Sequence, residues 1–347
     1  MDGLYHVHVL RSQAPLASGA GAQKRVADAA SAPVAGAHRG SPSLATGATT
    51  CVYGAPPAAL AEVPAGAVQV SPLVPGAADL EALTPQSLAG AVVAAPPGTV
   101  ERRYVLARLL AALAPGAPLT VLAPKDKGGS RLKKELEAFG CAVSETGRQH
   151  QRICQTRRPD APAGLEAAIA AGAPRWSEEL GLWTQPGVFS WDRPDPGTRQ
   201  LLAVLPPLAG QGADLGCGLG VLARAVLAAP AVTRLDLIDI DARAIAAARR
   251  NVEDPRAHFH WADARLAPEL AGLDFVVMNP PFHDRGLEDR ELGQGFIRRA
   301  HQVLRPSGVV FLVANRHLPY EAVLNGLFSR VTARGEAAGF KVYEARR

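Results

Sequence analysis

Residues 212–220 read Gly-Ala-Asp-Leu-Gly-Cys-Gly-Leu-Gly, a short apolar run that ends on an acid and passes into glycines at every second position. Glycine tolerates positive φ and, lacking a Cβ, lets a ligand approach the backbone. Gly216, Gly218 and Gly220 therefore describe a turn between a strand and the helix expected over 221–227. Taken alone, such a turn suits a structural corner or a dinucleotide site equally well. Its neighbours narrow the choice. The next apolar run, residues 234–240, carries Asp239 at its carboxyl end, where a carboxylate can accept both hydrogens of a ribose diol. Asp241 competes for that role, but it stands before Ala242-Arg243-Ala244-Ile245 as a helix cap does. Trp261-Ala262-Asp263 closes a third run with an acid able to accept from an adenine amino group. Cys217, Ile240 and Ala264 adjoin these positions and join the expected cofactor wall. Three acids ending successive strands outline an adenosine-shaped site. No basic residue is placed for a second nucleotide's phosphates, so a methionine-bearing adenosine fits better than NAD.

Outward from this turn, the runs 212–216, 234–240, 259–263, 273–279 and 308–315 read as strands. Helical patterns lie between them at 221–227, 242–252 and 294–304. An earlier series repeats the alternation, with apolar runs around Cys51, Val70, Val93 and Val121 and helices over 100–113 and 130–139, the latter with Leu132 and Leu136 on one face. Strand–helix alternation with nearly continuous apolar strands marks a parallel, doubly wound sheet. The expectation is α/β, with two tandem Rossmann-like doubly wound domains at 49–165 and 166–347. The Ala/Gly/Pro-rich stretch from Ala161 to Trp176 reads as the connection, and Ala/Gly/Ser-rich residues 1–48 as a weakly structured leader. Only the second half carries acids and glycines at its strand ends, where open α/β sheets bind ligands.

The chemistry centres on Asn279-Pro280-Pro281-Phe282, after the apolar strand 273–278. Two prolines fix φ and remove two N–H donors, so the loop presents mainly acceptors. The Asn279 carboxamide oxygen and the Pro280 carbonyl can each take one hydrogen of an –NH2 group. Amino groups conjugated to a ring or carbonyl are poor nucleophiles, and acceptors that favour a pyramidal, positively charging nitrogen stabilise the transition state more than the ground state. Aligning nitrogen, methyl and sulfur supplies most of the rest. No metal is needed. Phe282 offers a face for a base to stack on, and His283 suits substrate contact better than proton transfer.

Composition is that of an ordinary globular chain of 347 residues, 48% hydrophobic and 20% charged, with a formal net charge of +5. Residues 1–170 carry 16 Lys+Arg against 12 Asp+Glu, and the excess gathers in 125–158, including Lys125, Lys127 and Arg131. That cluster can follow a phosphate backbone or form a solvated helix face. The four cysteines form no CxxC pair, which argues against zinc and disulfides. No apolar run is long enough to span a membrane and no secretory pattern opens the chain, so a cytoplasmic address is expected. No stretch resembles a dimerisation segment, so the oligomeric state stays open.

These residues give the second half a resemblance to the ribosomal RNA small-subunit methyltransferase C family and its large-subunit sister, which make N2-methylguanosine. It rests on Gly187-Val188-Phe189-Ser190, Asp195-Pro196-Gly197-Thr198, residues 214–220, Asn279 to His283, and Phe340-Lys341-Val342-Tyr343. The resemblance implies a class I methyltransferase fold in the second half, S-adenosylmethionine as cofactor and guanine N2 in ribosomal RNA, 16S in the small subunit, as target. It also implies a degenerate first half that helps hold RNA through segments such as 98–103 and 125–131. Asp214, Gly216, Gly218 and Gly220 would cradle the methionine part, Asp239 the ribose and Asp263 the adenine, with Phe189 and 195–198 at the entrance. The rivals are a methyltransferase acting on a glutamine amide of a protein, which shares the Asn-Pro-Pro geometry, and a non-catalytic RNA-binding assembly factor with a vestigial site.

Overall fold

In the computed structural model the described residues are 49–266, 270–281, 283–284, 287–288 and 290–347; the leader 1–48 lies outside them. The first sheet comprises β1 (Thr50–Tyr53), β2 (Val68–Gln69), β3 (Gly90–Ala94), β4 (Pro118–Pro124), β5 (Ser144–Arg148) and β6 (Gln151–Arg157). They stand in the order β2-β1-β3-β4-β6-β5. The first four are parallel, as their continuous apolar runs imply, whereas β5 and β6 add an antiparallel edge that the polar sequence 144–157 does not announce. Helix α1 (Thr99–Ala112) crosses from β3 to β4, and α2 (Leu132–Glu137) follows a 3-10 turn. Leu132 and Leu136 are both fully buried, a contribution of about 1.5–3 kcal/mol each.

The stretch read as a connection contains a helix, α3 (Leu165–Gly172), whose Ala168, Leu165 and Ile169 join the first core. A Cβ on Gly172 would lie 2.3 Å from Tyr104 Cβ on α1, so α3 belongs to the first half's packing. The hairpin β7 (Arg175–Ser177) and β8 (Leu182–Thr184) comes next.

The second sheet comprises β9 (Gly210–Leu215), β10 (Val232–Asp239), β11 (Ala257–Trp261), β12 (Leu273–Met278), β15 (Leu304–Asn315), β16 (Arg330–Ala337) and β17 (Phe340–Arg346). Two short strands, β13 (His283–Asp284) and β14 (Leu287–Glu288), pair with each other. The sheet order is β11-β10-β9-β12-β15-β17-β16, with β17 antiparallel to both its neighbours. Its helices are α4 (Pro196–Val204), α5 (Val221–Leu227), α6 (Ala242–Asn251), α7 (Arg290–Val303) and α8 (Tyr320–Leu327). One core packs Ile297, Val303 and Tyr320 against the sheet, and another packs Leu222, Ile245 and Leu201. From β9 the chain builds outward to β11, then returns to place β12 on the other flank. That reversal opens a crevice beyond the carboxyl ends of β9 and β12.

The two halves share one plan down to the register. Val93 pairs with Tyr53 in the first sheet, and Val277 pairs with Asp214 in the second. Reading on from these valines, Ala94-Ala95-Pro96-Pro97 matches Met278-Asn279-Pro280-Pro281. The first half therefore keeps the paired prolines, with Ala95 in place of the asparagine and Tyr53 in place of the acid. Its Pro-Pro loop is filled from within. The fully buried Arg102 donates from Nη1 to the carbonyls of Pro96 (3.1 Å) and Pro97 (2.7 Å), and its Nε and Nη2 bind the two Glu135 oxygens at 2.7 Å.

Candidate active site

Strand β9 delivers the glycine turn to the crevice. Gly216, Gly218 and Gly220 all take positive φ (78°, 51° and 81°), as their spacing implies. The Gly216 and Cys217 amides donate to Ile238 O, and a Cβ on Gly218 would meet nothing within 4 Å. Beside the turn lies a cavity of about 160 Å³, lined among others by Phe189, Asp195, Thr198, Gly218 and Asn279. The geometry thus brings the 187–190 and 195–198 segments, the glycine turn and the Asn-Pro-Pro loop to one place. Cys217, buried on the wall, has its thiol pushed well up by burial and so stays protonated.

At the end of β12, Asn279 is half-buried and its amide nitrogen is pinned. Nδ2 donates to Asp195 Oδ2 at 2.7 Å and to Thr198 Oγ1 at 3.0 Å. A carboxylate accepts only, so the NH2 face of the carboxamide must turn to Asp195 and the oxygen must turn away. Asp195 also caps α4, accepting from Thr198 N at 2.6 Å. One cap therefore orients both a helix and the asparagine 84 residues away. Gly197 lets α4 lie on the Phe340 ring, which a Cβ there would approach to 3.0 Å. This is what the terminal Phe340 contributes to the site. The Asp195 and Thr198 side-chain roles were not legible beforehand beyond lining the entrance. Asp195→Asn, which keeps one acceptor oxygen for both Thr198 N and Asn279 Nδ2 but loses the carboxylate charge that strengthens both bonds, is expected to lower kcat about tenfold. Steady-state kinetics beside an unchanged helical circular-dichroism signal would check this.

Asp239 holds the turn together. Its Oδ2 accepts from Gly218 N at 2.8 Å and its Oδ1 from Asp241 N at 2.9 Å, which leaves further lone pairs for a diol. Asp241 caps α6 by accepting from Arg243 N, as its place in the sequence implies. Asp214 is fully buried and off the cavity wall, and neither of its oxygens has a side-chain partner among the described residues. Burial, and secondly the neighbouring Asp239, push its carboxyl up to about 8; burial pushes Asp239 up to about 6. The half-buried Asp239 carboxyl beside a glycine turn with open space, with the buried Asp214 carboxyl near it, suits a ligand bearing hydroxyl donors and positive charge. The sulfonium, ammonium and ribose of S-adenosylmethionine supply these.

The sign of the pH effect follows. A raised carboxyl pKa means the free protein holds protons that a cationic ligand expels, so cofactor affinity should rise with pH by about tenfold per unit between about 6 and 8, more steeply below about 6 where both carboxyls are protonated, and level off above about 8. The stability of the free protein should change the other way, falling as pH rises from the ordinary Asp range toward about 8. Calorimetric titrations from pH 5 to 9 would test this, and in Asp214→Asn the affinity should level off near 6 instead.

The remaining sequence-derived positions fall as follows. Asp263 opens an Asx-type turn, accepting from Arg265 N (2.9 Å), Nε (3.0 Å) and Nη2 (2.6 Å), so Arg265 engages both its oxygens. Ala264 is buried, and Ile240 is 40% exposed with its carbonyl accepting from Trp261 Nε1. Phe189 is 57% exposed at the cavity, an uncommon setting for a phenylalanine and the right one for stacking. Pro280 is buried and Pro281 partly so. Phe282 and the His283 side chain lie outside the described residues. Lys125 and Arg131 are exposed and Lys127 partly so, in the loop that follows β4, where Arg131 Nη1 donates to Thr99 Oγ1.

Comparison with known proteins agrees with this geometry. Residues 179–344 match the family described as Methyltransferase small domain. The chain is 34% identical over 254 residues to the ribosomal RNA small subunit methyltransferase C of Pseudomonas aeruginosa, covering 70% of this chain and 75% of that protein. It is 34% identical over 280 residues to the enzyme of the same name from Chromohalobacter salexigens, covering 77% and 81%. Among solved structures it resembles the T. thermophilus 16S rRNA N2 G1207 methyltransferase in complex with AdoMet and guanosine, with TM-score 0.66, 26% identity and coverage of 78% and 76%. No helix of the described residues is long and apolar enough to cross a membrane. At 34% identity over 75% and 81% of these relatives' lengths, the chain belongs to the ribosomal RNA small subunit methyltransferase C family.

Proposed function

We propose that the chain transfers a methyl group from S-adenosylmethionine to the exocyclic N2 amino group of a guanine in 16S ribosomal RNA. The observation that carries this reading is the pinned Asn279 carboxamide. With Nδ2 held by Asp195 and Thr198, Oδ1 is left as a fixed acceptor at the crevice, next to a proline pair that has no N–H to offer. The bound cofactor supplies an electrophilic methyl on a sulfonium. Asn279 Oδ1 and the Pro280 carbonyl hold the two N2 hydrogens, turn the nitrogen lone pair toward the methyl and stabilise the positive charge that grows on the nitrogen. Asp239 takes the ribose, Asp263 the adenine side and Phe189 and Phe282 the base faces. His283 contacts the substrate, and the spent proton leaves to water. Lys125, Lys127 and Arg131 of the first half hold RNA phosphates. The partner is the small ribosomal subunit or its RNA, which places the work in the cytoplasm. The test uses 30S subunits and 16S RNA from a strain lacking the modification, with tritiated cofactor and purified protein. Label in RNA as N2-methylguanosine is the expected result. Label in protein glutamine would select the glutamine rival, and no label with no cofactor binding would select the assembly factor.

A further inference from the structure

The first half reaches directly into the loops that carry the cofactor acids. Pro72, just after β2, presents its carbonyl to two groups of the second half, the Ala242 amide (2.9 Å) and Trp261 Nε1 (3.0 Å). Ala242 is the first residue of α6, and its N–H has no partner within the helix. A carbonyl from the other half satisfies it. Trp261 Nε1 also donates to Ile240 O at 2.8 Å, so Pro72 and the ends of β10 and β11 form one joint.

A buried ion network lies next to it. Arg243 donates from Nη1 to Glu101 Oε1 on α1 (2.7 Å), and from Nε and Nη2 to the two Asp241 oxygens (3.0 and 2.8 Å). The Glu101 and Arg243 side chains are only 9% and 11% exposed. Gly187 closes over the pair: a Cβ there would fall 2.4 Å from Glu101 Cδ and 2.6 Å from Arg243 Nη1, and its φ of 102° is itself one that favours glycine. The next two residues lead to Phe189 at the cavity. Asp241, held by Arg243, gives its backbone N–H to Asp239 Oδ1, while Gly218 N holds Oδ2. From Glu101 to Asp239 the chain of contacts is thus Glu101, Arg243, Asp241 and the Asp241 amide, with every group in it buried or partly so.

We infer that the first half completes the cofactor site, and that Glu101 is a positioning residue which, through Arg243 and Asp241, fixes the Asp239 carboxylate for the ribose diol. A pair that only glued the halves together would need neither the bidentate grip on Asp241 nor the cap geometry that delivers the Asp241 amide to Asp239. Truncating Glu101 leaves the Arg243 guanidinium buried with one carboxylate instead of two. Arg243 must then move toward Pro186 O, which already lies 3.5 Å from Nη1, or out to water. Either shift loosens Asp241 and, with it, the amide on Asp239.

The inference rests on the assignment of Asp239 to the ribose, and the experiment separates the two. In the full-length protein, cofactor Kd is measured by calorimetry for Glu101→Gln, Asp239→Ala and the double variant, beside thermal melts. Glu101→Gln is expected to raise Kd about tenfold in a protein that remains folded, with the cofactor KM rising by the same factor and kcat falling less than twofold. Because Glu101 acts through Asp239, the double variant should bind no more weakly than Asp239→Ala alone. Where Glu101→Gln does not fold, Glu101→Asp, which keeps the charge at shorter reach, should show a smaller rise in Kd and the same lack of additivity. A folded Glu101 variant that binds cofactor as the wild type does, or effects that add in the double variant, overturns the inference. Asp239→Ala with unchanged Kd overturns the ribose assignment itself.

Discussion

Asn279→Ala is expected to lower kcat for RNA methylation by about 10²- to 10³-fold, the loss seen when one positioned hydrogen-bonding group is removed from a site of developing charge. The contact strengthens as the nitrogen pyramidalises and its hydrogens become acidic, so the loss belongs to kcat. The RNA KM should change less than about threefold, because an amine that loses one acceptor in the ground state finds water instead. Single-turnover kinetics at saturating cofactor isolate the step. Asp195→Asn provides the internal check. Asp195 acts on the reaction through the carboxamide, whose nitrogen it holds at 2.7 Å. The double variant should therefore be no slower than Asn279→Ala alone. Additive losses would mean that Asp195 touches the substrate in its own right.

Asp239→Ala should raise the cofactor Kd by about 10- to 150-fold, corresponding to roughly 1.5–3 kcal/mol for a hydrogen bond to a charged group. Part of the loss comes from the ribose diol and part from the turn, since Gly218 and Asp241 both lose the acceptor of their amides. Asp239→Asn, with one acceptor oxygen left, should fall between the two. A second signature follows from electrostatics. Asp239 helps hold the Asp214 carboxyl up near 8, so removing it should bring the upper limb of the affinity–pH curve to lower pH. Calorimetry of Asp239→Ala across pH would show that displacement, and an unmoved upper limb would mean the two acids do not sense each other.

Much of this site could be read from sequence, because its parts are local. The turn 214–220, the acid 25 residues on and the Asn-Pro-Pro loop each declare their chemistry within a few residues, and the parallel strands behind them are continuous apolar runs. What stayed hidden joins distant residues or lacks an apolar pattern. The Asn279 pin spans 84 residues and the Glu101–Arg243 pair 142, separations that no periodicity reports. Strands β5 and β6 form an edge whose exposed positions are polar, so 144–157 reads as a basic segment before it reads as a hairpin. Helix α3 was masked by small residues, which pack α3 tightly against Tyr104 but resemble a linker in composition. Ala95-Pro96-Pro97 went unnoticed because the asparagine that makes the motif recognisable is gone. At Asp263 the acid at a strand end was legible, but the grip of Arg265, two residues on, on both of its oxygens was not.

Arg102 shows how the first half's Pro-Pro loop is filled. Its guanidinium is a planar, conjugated set of N–H groups, as the target edge of guanine is, and it rests against the Pro96 and Pro97 carbonyls. A guanidinium built into the first half's own helix and anchored by Glu135 thus occupies its Pro-Pro loop. Each of its two proline carbonyls already has a donor within the protein. On the proposed function the matching carbonyls of the second half meet the target amino group when RNA binds, so this loop is the part of the second half whose stability should depend on what it binds.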